Sequence, residues 1–526
     1  MAKLFEPGAQ YPPVQDIERI AKYQRGRAIF DGKQAEIYER ASELLKDTPF
    51  APQIETLYIA VNIIDILITK PADLMVGEPP TYETGLPDDS IVQKRLSSIV
   101  EENDLNQLIH ECVIGAGIRG DAWIKTYYST RQDVSETKSL GLYVPQILPE
   151  PIIEPIDARY VFPELSRGSR KKFKAINIAW VEWVLEPVKP GIPRYSLDEY
   201  YDYDEVPYLN VERHVPGFIM YERYKLTPIG VDDRYGYPVD TFTVGAQVST
   251  GRESDVIETG VPQFLVHHLP YKTVDDDWRG ISGIEKLESV LAAINDRLVQ
   301  IDYILWKHSD PIAYGPDMDG AGDNTVRWGG KYIPIDKNDV TPGYMTWNSQ
   351  LDGAFKELDI LLGIVFQMSE TPQWLFGTTL AEDKGGSGTS HTDSTAIQMR
   401  LMPILSKVKR IRVHVDRAIR DALYTAMQLE NYANENVPDF ESYDPVYPKI
   451  NWRDGIPKNA KEEAEVMQIR TGNKPTIDVR SAIKLMDGVD DEKADEVIRR
   501  IDDDETRVNG TVDSSIFNGN SGGGAN

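Results

Sequence analysis

The chain has 526 residues, length for roughly three or four domains, and its 84 Asp and Glu against 57 Lys and Arg give a formal net charge of −27. That balance argues against a protein that coats nucleic acid through a broad basic surface, while leaving room for an acidic wall past which a duplex slides. The lone cysteine, Cys112, excludes an intrachain disulfide, and the longest apolar run, residues 57–69, is about half a membrane span and contains Asn62 and Asp65.

In chain order, residues before Tyr11 read as an arm and 14–23 as a short amphipathic helix. Helical patterning resumes over 34–45 and 53–75, and the chain turns at Gly77, Pro79 and Pro80. Leu105, Leu108, Ile109, Cys112, Val113 and Ala116 share one helical face, and Trp123, Lys125 and Tyr127 then alternate against Ala122, Ile124 and Thr126 as in a strand. Between them, Gly115-Ala116-Gly117-Ile118-Arg119-Gly120 has the G-x-G-x-x-G spacing. Dinucleotide binding requires a strand before such glycines and a helix after them. Here the order is inverted, which predicts close helix packing followed by a turn. From 142 to 243, aromatic and β-branched residues alternate with charges, and 175–185, 195–203 and 218–224 read as antiparallel strands. Arg and Lys there are balanced by acids, so the aromatic residues predict a sheet core and not a base-stacking platform. Residues 263–269 read as a last strand.

Asp275, Asp276 and Asp277 precede a helix and complement its dipole. Ile284, Leu287, Leu291, Ile294, Leu298, Ile301 and Leu305 form one narrow apolar seam, ended by Ser309, Asp310 and Pro311. A turn-rich insert follows, in which Asp317, Asp319, Gly322 and Asp323 match early positions of a calcium loop, but Ala321 and Trp328 stand where oxygen ligands are needed. A second seam, Leu351, Phe355, Leu358, Leu362 and Val365, stops at Pro372. Residues 378–390 carry Gly385, Gly386 and Gly388, which leave the backbone free to flex. Asp393 or Ser394 caps a third helix with seam residues Ile397, Leu401, Ile404, Val408, Ile411, Val415, Ala418 and Ala422, and Pro403 predicts a kink. It bears Arg400, Lys407, Lys409, Arg410, Arg412, Arg417 and Arg420, with Asp416 as the only acid between Arg400 and Arg420. Short helices are expected over 458–470, 477–485 and 492–501, and 509–526, rich in Gly, Ser and Asn, reads as a flexible tail.

The order helix, insert, helix, Gly-rich loop, long helix resembles the portal proteins of tailed bacteriophages, ring subunits at the vertex where DNA enters and leaves the head. Three further stretches carry the resemblance: Asn62-Ile63-Ile64-Asp65 through Met75-Val76-Gly77-Glu78-Pro79, Arg279-Gly280-Ile281-Ser282-Gly283-Ile284, and Asn451-Trp452-Arg453-Asp454-Gly455-Ile456-Pro457-Lys458. It implies an α+β, predominantly helical subunit with wing, stem, clip and crown around an axial channel. The segments would be an arm and wing over 1–280, stem helices over 281–310 and 351–377 bracketing a clip over 311–350, a tunnel loop over 378–393, a long kinked wing helix over 394–448, a crown over 449–508 and the tail over 509–526.

The resemblance further implies a homo-oligomeric ring, commonly a dodecamer, with double-stranded DNA passing through it. The clip would dock the large terminase subunit, the packaging ATPase, and later a head-tail adaptor, with the major capsid and scaffolding proteins around the ring. The place would be the virion's portal vertex, and the host cytoplasm during assembly, with no membrane partner. On this reading Glu382, Asp383, Lys384, Gly385, Gly386, Ser387, Gly388 and His391 approach the duplex. Asp317, Asp319, Asp323, Arg327, Trp328, Lys331 and Tyr332 form the docking clip, and Ile284, Leu291, Leu298, Arg410 and Arg417 meet neighbouring subunits. No catalytic, cofactor or metal residue is expected.

The alternatives are another head-tail adaptor ring or a cytoplasmic carboxylate-dependent enzyme. The sequence holds no G-x-x-x-x-G-K-[ST] or H-E-x-x-H motif. Its adjacent His267 and His268 would point to opposite faces of a strand. Adaptors are usually much shorter.

Overall fold

The structure, a computed structural model, describes residues 3–34, 62–134, 147–187, 203–308, 351–376, 394–438, 440–453, 460–472, 475–487 and 491–510, with three short strands between 312 and 345 and a few single positions. The chain begins with β1 (Gln10–Tyr11), α1 (Val14–Phe30), α2 (Ile63–Val76), β2 (Thr81–Glu83), α3 (Ile91–Glu102) and α4 (Leu105–Arg119). Strands follow: β3 (Asp121–Ser129), β4 (Glu150–Ile156), β5 (Val161–Leu165), β6 (Phe173–Pro187), β7 (Tyr203–Val215), β8 (Phe218–Asp232), β9 (Val239–Val248), β10 (Val256–Glu258) and β11 (Val266–Pro270). Then come α5 (Glu288–His308), β12 (Ile312–Pro316), β13 (Tyr332–Ile335), β14 (Gly343–Met345), α6 (Leu351–Met368) and α7 (Ser394–Ala433). β15 (Lys449–Asn451), α8 (Ala460–Thr471), α9 (Val479–Asp487) and α10 (Asp491–Gly510) complete the described elements.

The architecture corrects the expectation of a predominantly helical subunit: it is mixed, 45% helix and 24% strand, with a seven-stranded antiparallel sheet curled into a half-barrel. Its order is β1-β9-β8-β7-β6-β5, with β10 paired to β8. The physical reason is strand length. The pattern read as short strands is continuous through β6 and β8, each 15 residues, and β6 and β7 stay in register from Ile176↔His214 to Pro187↔Tyr203. Residues 175–179 of β6 are buried on both faces. On one face Ala179 joins Phe5, Tyr11, Phe162, Leu209 and Tyr224 with Ile17 and Ile20 of α1. On the other, Ile176 and Ile178 join Tyr23, Trp123 and Val161. A sheet buried on both sides reads as an apolar run where a half-exposed one would alternate.

A second sheet, β11-β3-β4, carries the main helical core. Val408, Ile411, Val415, Ala418, Ile419, Ala422, Leu423, Ala426 and Met427 of α7 pack with residues of α2, α3, α4, β3 and β4. Thus α7 is not a solvated rod. It is the spine on which the N-terminal helices and the small sheet are assembled. A third cluster ties α1 and α2 to α5 and α6 through Ile29, Ile64, Leu67, Ile68, Leu287, Leu291, Ile294 and Val365.

Candidate functional site

The two glycine-bearing stretches that the sequence leaves far apart, 115–120 and 279–284, meet each other. α4 ends at Gly120, whose φ of +95° is left-handed and whose N–H donates to the Ala116 carbonyl at 2.6 Å. Gly283 N–H donates to the Gly117 carbonyl and Tyr271 N–H to the Gly120 carbonyl, both at 2.8 Å. A Cβ on Gly280 would run into the Gly120 carbonyl oxygen, and one on Gly117 would stand 2.8 Å from Ile68 Cγ2. The glycines therefore let two backbones touch. Around 115–120 a helix comes before the glycines and a strand after them, so the G-x-G-x-x-G spacing makes no phosphate cradle.

Asp121, the next residue, is fully buried and fixes this junction. Its carboxylate accepts from Tyr23 Oη at 2.5 Å and Gly280 N–H at 2.8 Å, and lies 2.6 Å from His268 Nε2. The His268 ring packs between Trp123 and Trp278, with centroids 4.5 Å and 5.4 Å away. Burial and the adjacent Asp121 carboxylate push the Tyr23 phenol well above its usual range, so it stays a donor. Each of these groups is engaged in holding the chain, and sequence reasoning singled out neither Asp121 nor Tyr23. The signal was limited to a Gly-Asp pair at a helix-to-strand turn.

From this anchor the chain enters α5. Gly283 and Ile281 N–H groups bond to Gly117 and Lys272 carbonyls, so residues 281–287 are a turn and regular helix starts at Glu288, later than the seam alone suggested. α5 and α6 pack on each other, with Arg297 Nη2 donating to Glu357 at 2.7 Å. Of the interface candidates, Ile284 and Leu291 are 2% and 1% exposed, covered within the chain itself, and Leu298 is partly buried against the same cluster. What stays uncovered is another row. Ile360, Ile364 and Met368 of α6 follow one another at four-residue spacing and are 56%, 37% and 47% exposed; Phe355 and, on α5, Leu305 are also exposed.

The cations of α7 are largely engaged within the chain. Arg410 Nη2 donates to both Glu370 oxygens at 2.6 Å. Lys407 Nζ donates to the Ser369 carbonyl at 3.1 Å, and burial pulls its pKa down to about 8. Arg412 donates to the Arg453 carbonyl and lies over Trp452, whose Nε1–H donates to Asp416. Arg420 donates to the Pro448 carbonyl and lies over Tyr447. Arg417 is different: 85% exposed, it reaches Asp421 only at 3.9 Å.

The expected tunnel-loop residues Glu382 to His391 lie outside the described residues, as do Asp317, Asp319, Asp323, Arg327, Trp328 and Lys331. Tyr332 opens β13, which pairs in parallel with β12 at Ala313↔Tyr332, while β14 pairs antiparallel on the other side. A small three-stranded sheet thus interrupts the chain between α5 and α6. Among the described residues no group of three or more His, Cys, Asp or Glu is placed to hold a metal, and no helix is long and apolar enough to cross a membrane. Neither a scan against protein-family models nor a search of the curated proteins finds a match for the chain.

Proposed function

We propose that this chain is the ring-forming subunit of a phage-head portal vertex, a channel for double-stranded DNA that docks a packaging ATPase and later head-tail connector proteins. The observation that carries the reading is the uncovered apolar row Ile360, Ile364 and Met368, on a helix that pairs with α5 across an inserted three-stranded sheet. A helix pair with one apolar side on its own core and another facing water is supplied with what a rotationally repeated contact needs. The sequence order supports it: helix, small sheet, helix, glycine-rich stretch, long helix. The acidic balance suits a wall that does not retain the duplex passing it. No chemistry is required of the chain, since the ATPase supplies the energy.

Electron microscopy of the purified chain in negative stain tests this. The wild type should give hollow, rotationally symmetric rings. Ile360→Lys with Ile364→Lys should leave the thermal unfolding of the subunit nearly unchanged, because both side chains are exposed, yet shift it to single copies. A wild-type chain that remains a compact monomer at high concentration would overturn the proposal.

A further inference from the structure

A cleft of about 620 Å³ opens between the strand β11, the turn that precedes β6, the helix α7 and Tyr447. Its acids are already engaged: Asp421 accepts from Tyr447 Oη at 2.7 Å, and Asp277 from Arg279 Nε at 2.7 Å. Among its lysines and arginine, Lys171 is engaged, its Nζ donating to the Val274 carbonyl at 2.6 Å, and the others are not so held. The side chains of Lys172 and His414 have no polar partner among the described residues, and Arg417 is held only by the 3.9 Å approach to Asp421. A fourth group stands deeper, His267, whose Nε2 is buried with no hydrogen-bond partner. Burial, then the neighbouring His268, Arg417 and Lys171, hold the His414 imidazole below its usual range, so it faces the cleft as a neutral ring with an N–H to donate.

In a chain of net charge −27, gathering uncompensated cations at one concave place costs mutual repulsion, and a buried ring nitrogen without a partner costs more. One occupant relieves both: a ligand with several acceptor oxygens and negative charge. A guanidinium fork and an ammonium at the rim suit a tetrahedral oxyanion, and the volume exceeds what a single phosphate fills. We propose that this cleft binds a small multivalent oxyanion of the phosphate class, held by Lys172, His414 and Arg417 at the mouth, with His267 Nε2–H donating to it from within. The site does not depend on ring formation, and its occupancy is counted per chain.

Isothermal titration of the full-length protein with inorganic pyrophosphate tests it. One saturable site per chain is expected, weakened at least tenfold by Lys172→Glu and by Arg417→Glu, and weakened by His267→Gln. Lys409→Glu, an exposed cation of the same helix outside the cleft, should leave binding unchanged. Circular dichroism on each variant checks that the fold persists. A short DNA duplex is the competing arm: displacement of pyrophosphate would assign the oxyanion to a nucleic-acid backbone, and no displacement would assign it to free phosphate compounds. Absence of saturable pyrophosphate binding would overturn the proposal. So would binding that the cleft variants leave intact, or binding of an acidic glutamate peptide in place of pyrophosphate.

Discussion

Replacing Gly280 by alanine would drive a methyl group into the Gly120 carbonyl oxygen and bring it within 3.1 Å of Asp121 Oδ1. The obstacle is backbone on one side and a fully buried carboxylate on the other, so no flexible side chain can swing away. Gly280→Ala should therefore destabilise the fold by roughly 3 kcal/mol, the upper part of the range for overpacking. Gly353 is the contrast: it lies in α6 with nothing within 4 Å, and Gly353→Ala should raise helix stability by about 1 kcal/mol. Opposite shifts of the two unfolding midpoints check the assignment; a neutral Gly280→Ala would mean that the 117–120 and 280–283 backbones do not touch. His267 makes a second residue-scale prediction. Burial pulls its pKa from 6.5 to about 4, against a smaller opposing pull from Asp421. The unfolded chain takes up a proton near pH 6.5 that the folded chain refuses until about pH 4, so stability present above 6.5 is lost as pH falls through that window. The full loss is about 3 kcal/mol. Denaturant unfolding at pH 7 and pH 5 should show a markedly smaller loss in His267→Gln than in the wild type; parallel losses would place the ring nitrogen in contact with solvent.

At the scale of elements, what the sequence could disclose depended on whether an element's partners lie on one side or several. The α4 face Leu105, Leu108, Ile109, Cys112, Val113 and Ala116 is periodic because one side packs, and the structure buries those residues. The turn after the G-x-G-x-x-G spacing was equally legible, since strand and helix stood in the wrong order for a phosphate loop. The share of strand was underread at β8, read over 218–224 where the strand runs to Asp232, because residues 227–231 are exposed and no buried face imposes an apolar alternation from which to judge its length. Nor could the seam of α5 say what covers it. Ile284 and Leu291 are covered by α2 and α6 of the same chain, and no periodicity distinguishes a neighbour in the chain from a neighbouring copy. The basic run of α7 was similarly opaque. Arg410 and Arg417 are equivalent as letters, yet Arg410 is fixed by Glu370, two residues past the α6 terminus, while Arg417 projects at the cleft. Charge reversal at Arg410 therefore acts first on the α6–α7 junction within one copy.

At the scale of the whole molecule, the apolar row on α6 and the net charge of −27 work against each other when copies approach. The row gains free energy from burial that salt hardly weakens, whereas the repulsion between acidic surfaces acts through solvent and is screened over about 10 Å at 0.1 M salt and about 30 Å at 0.01 M. Most of the cations on α7 that could offset that repulsion at a contact are already bound to groups of their own chain. Association should therefore strengthen as sodium chloride is raised from about 0.01 M to about 0.3 M, the opposite of a contact built on ion pairs between copies. Sedimentation velocity across that range measures it directly. Growth of the oligomer with salt in the wild type, and its absence in Ile360→Lys with Ile364→Lys, would assign the contact to the apolar row. Dissociation with rising salt would instead assign it to charge pairing, with Arg417 as the first residue to reverse, because it is exposed and only loosely held.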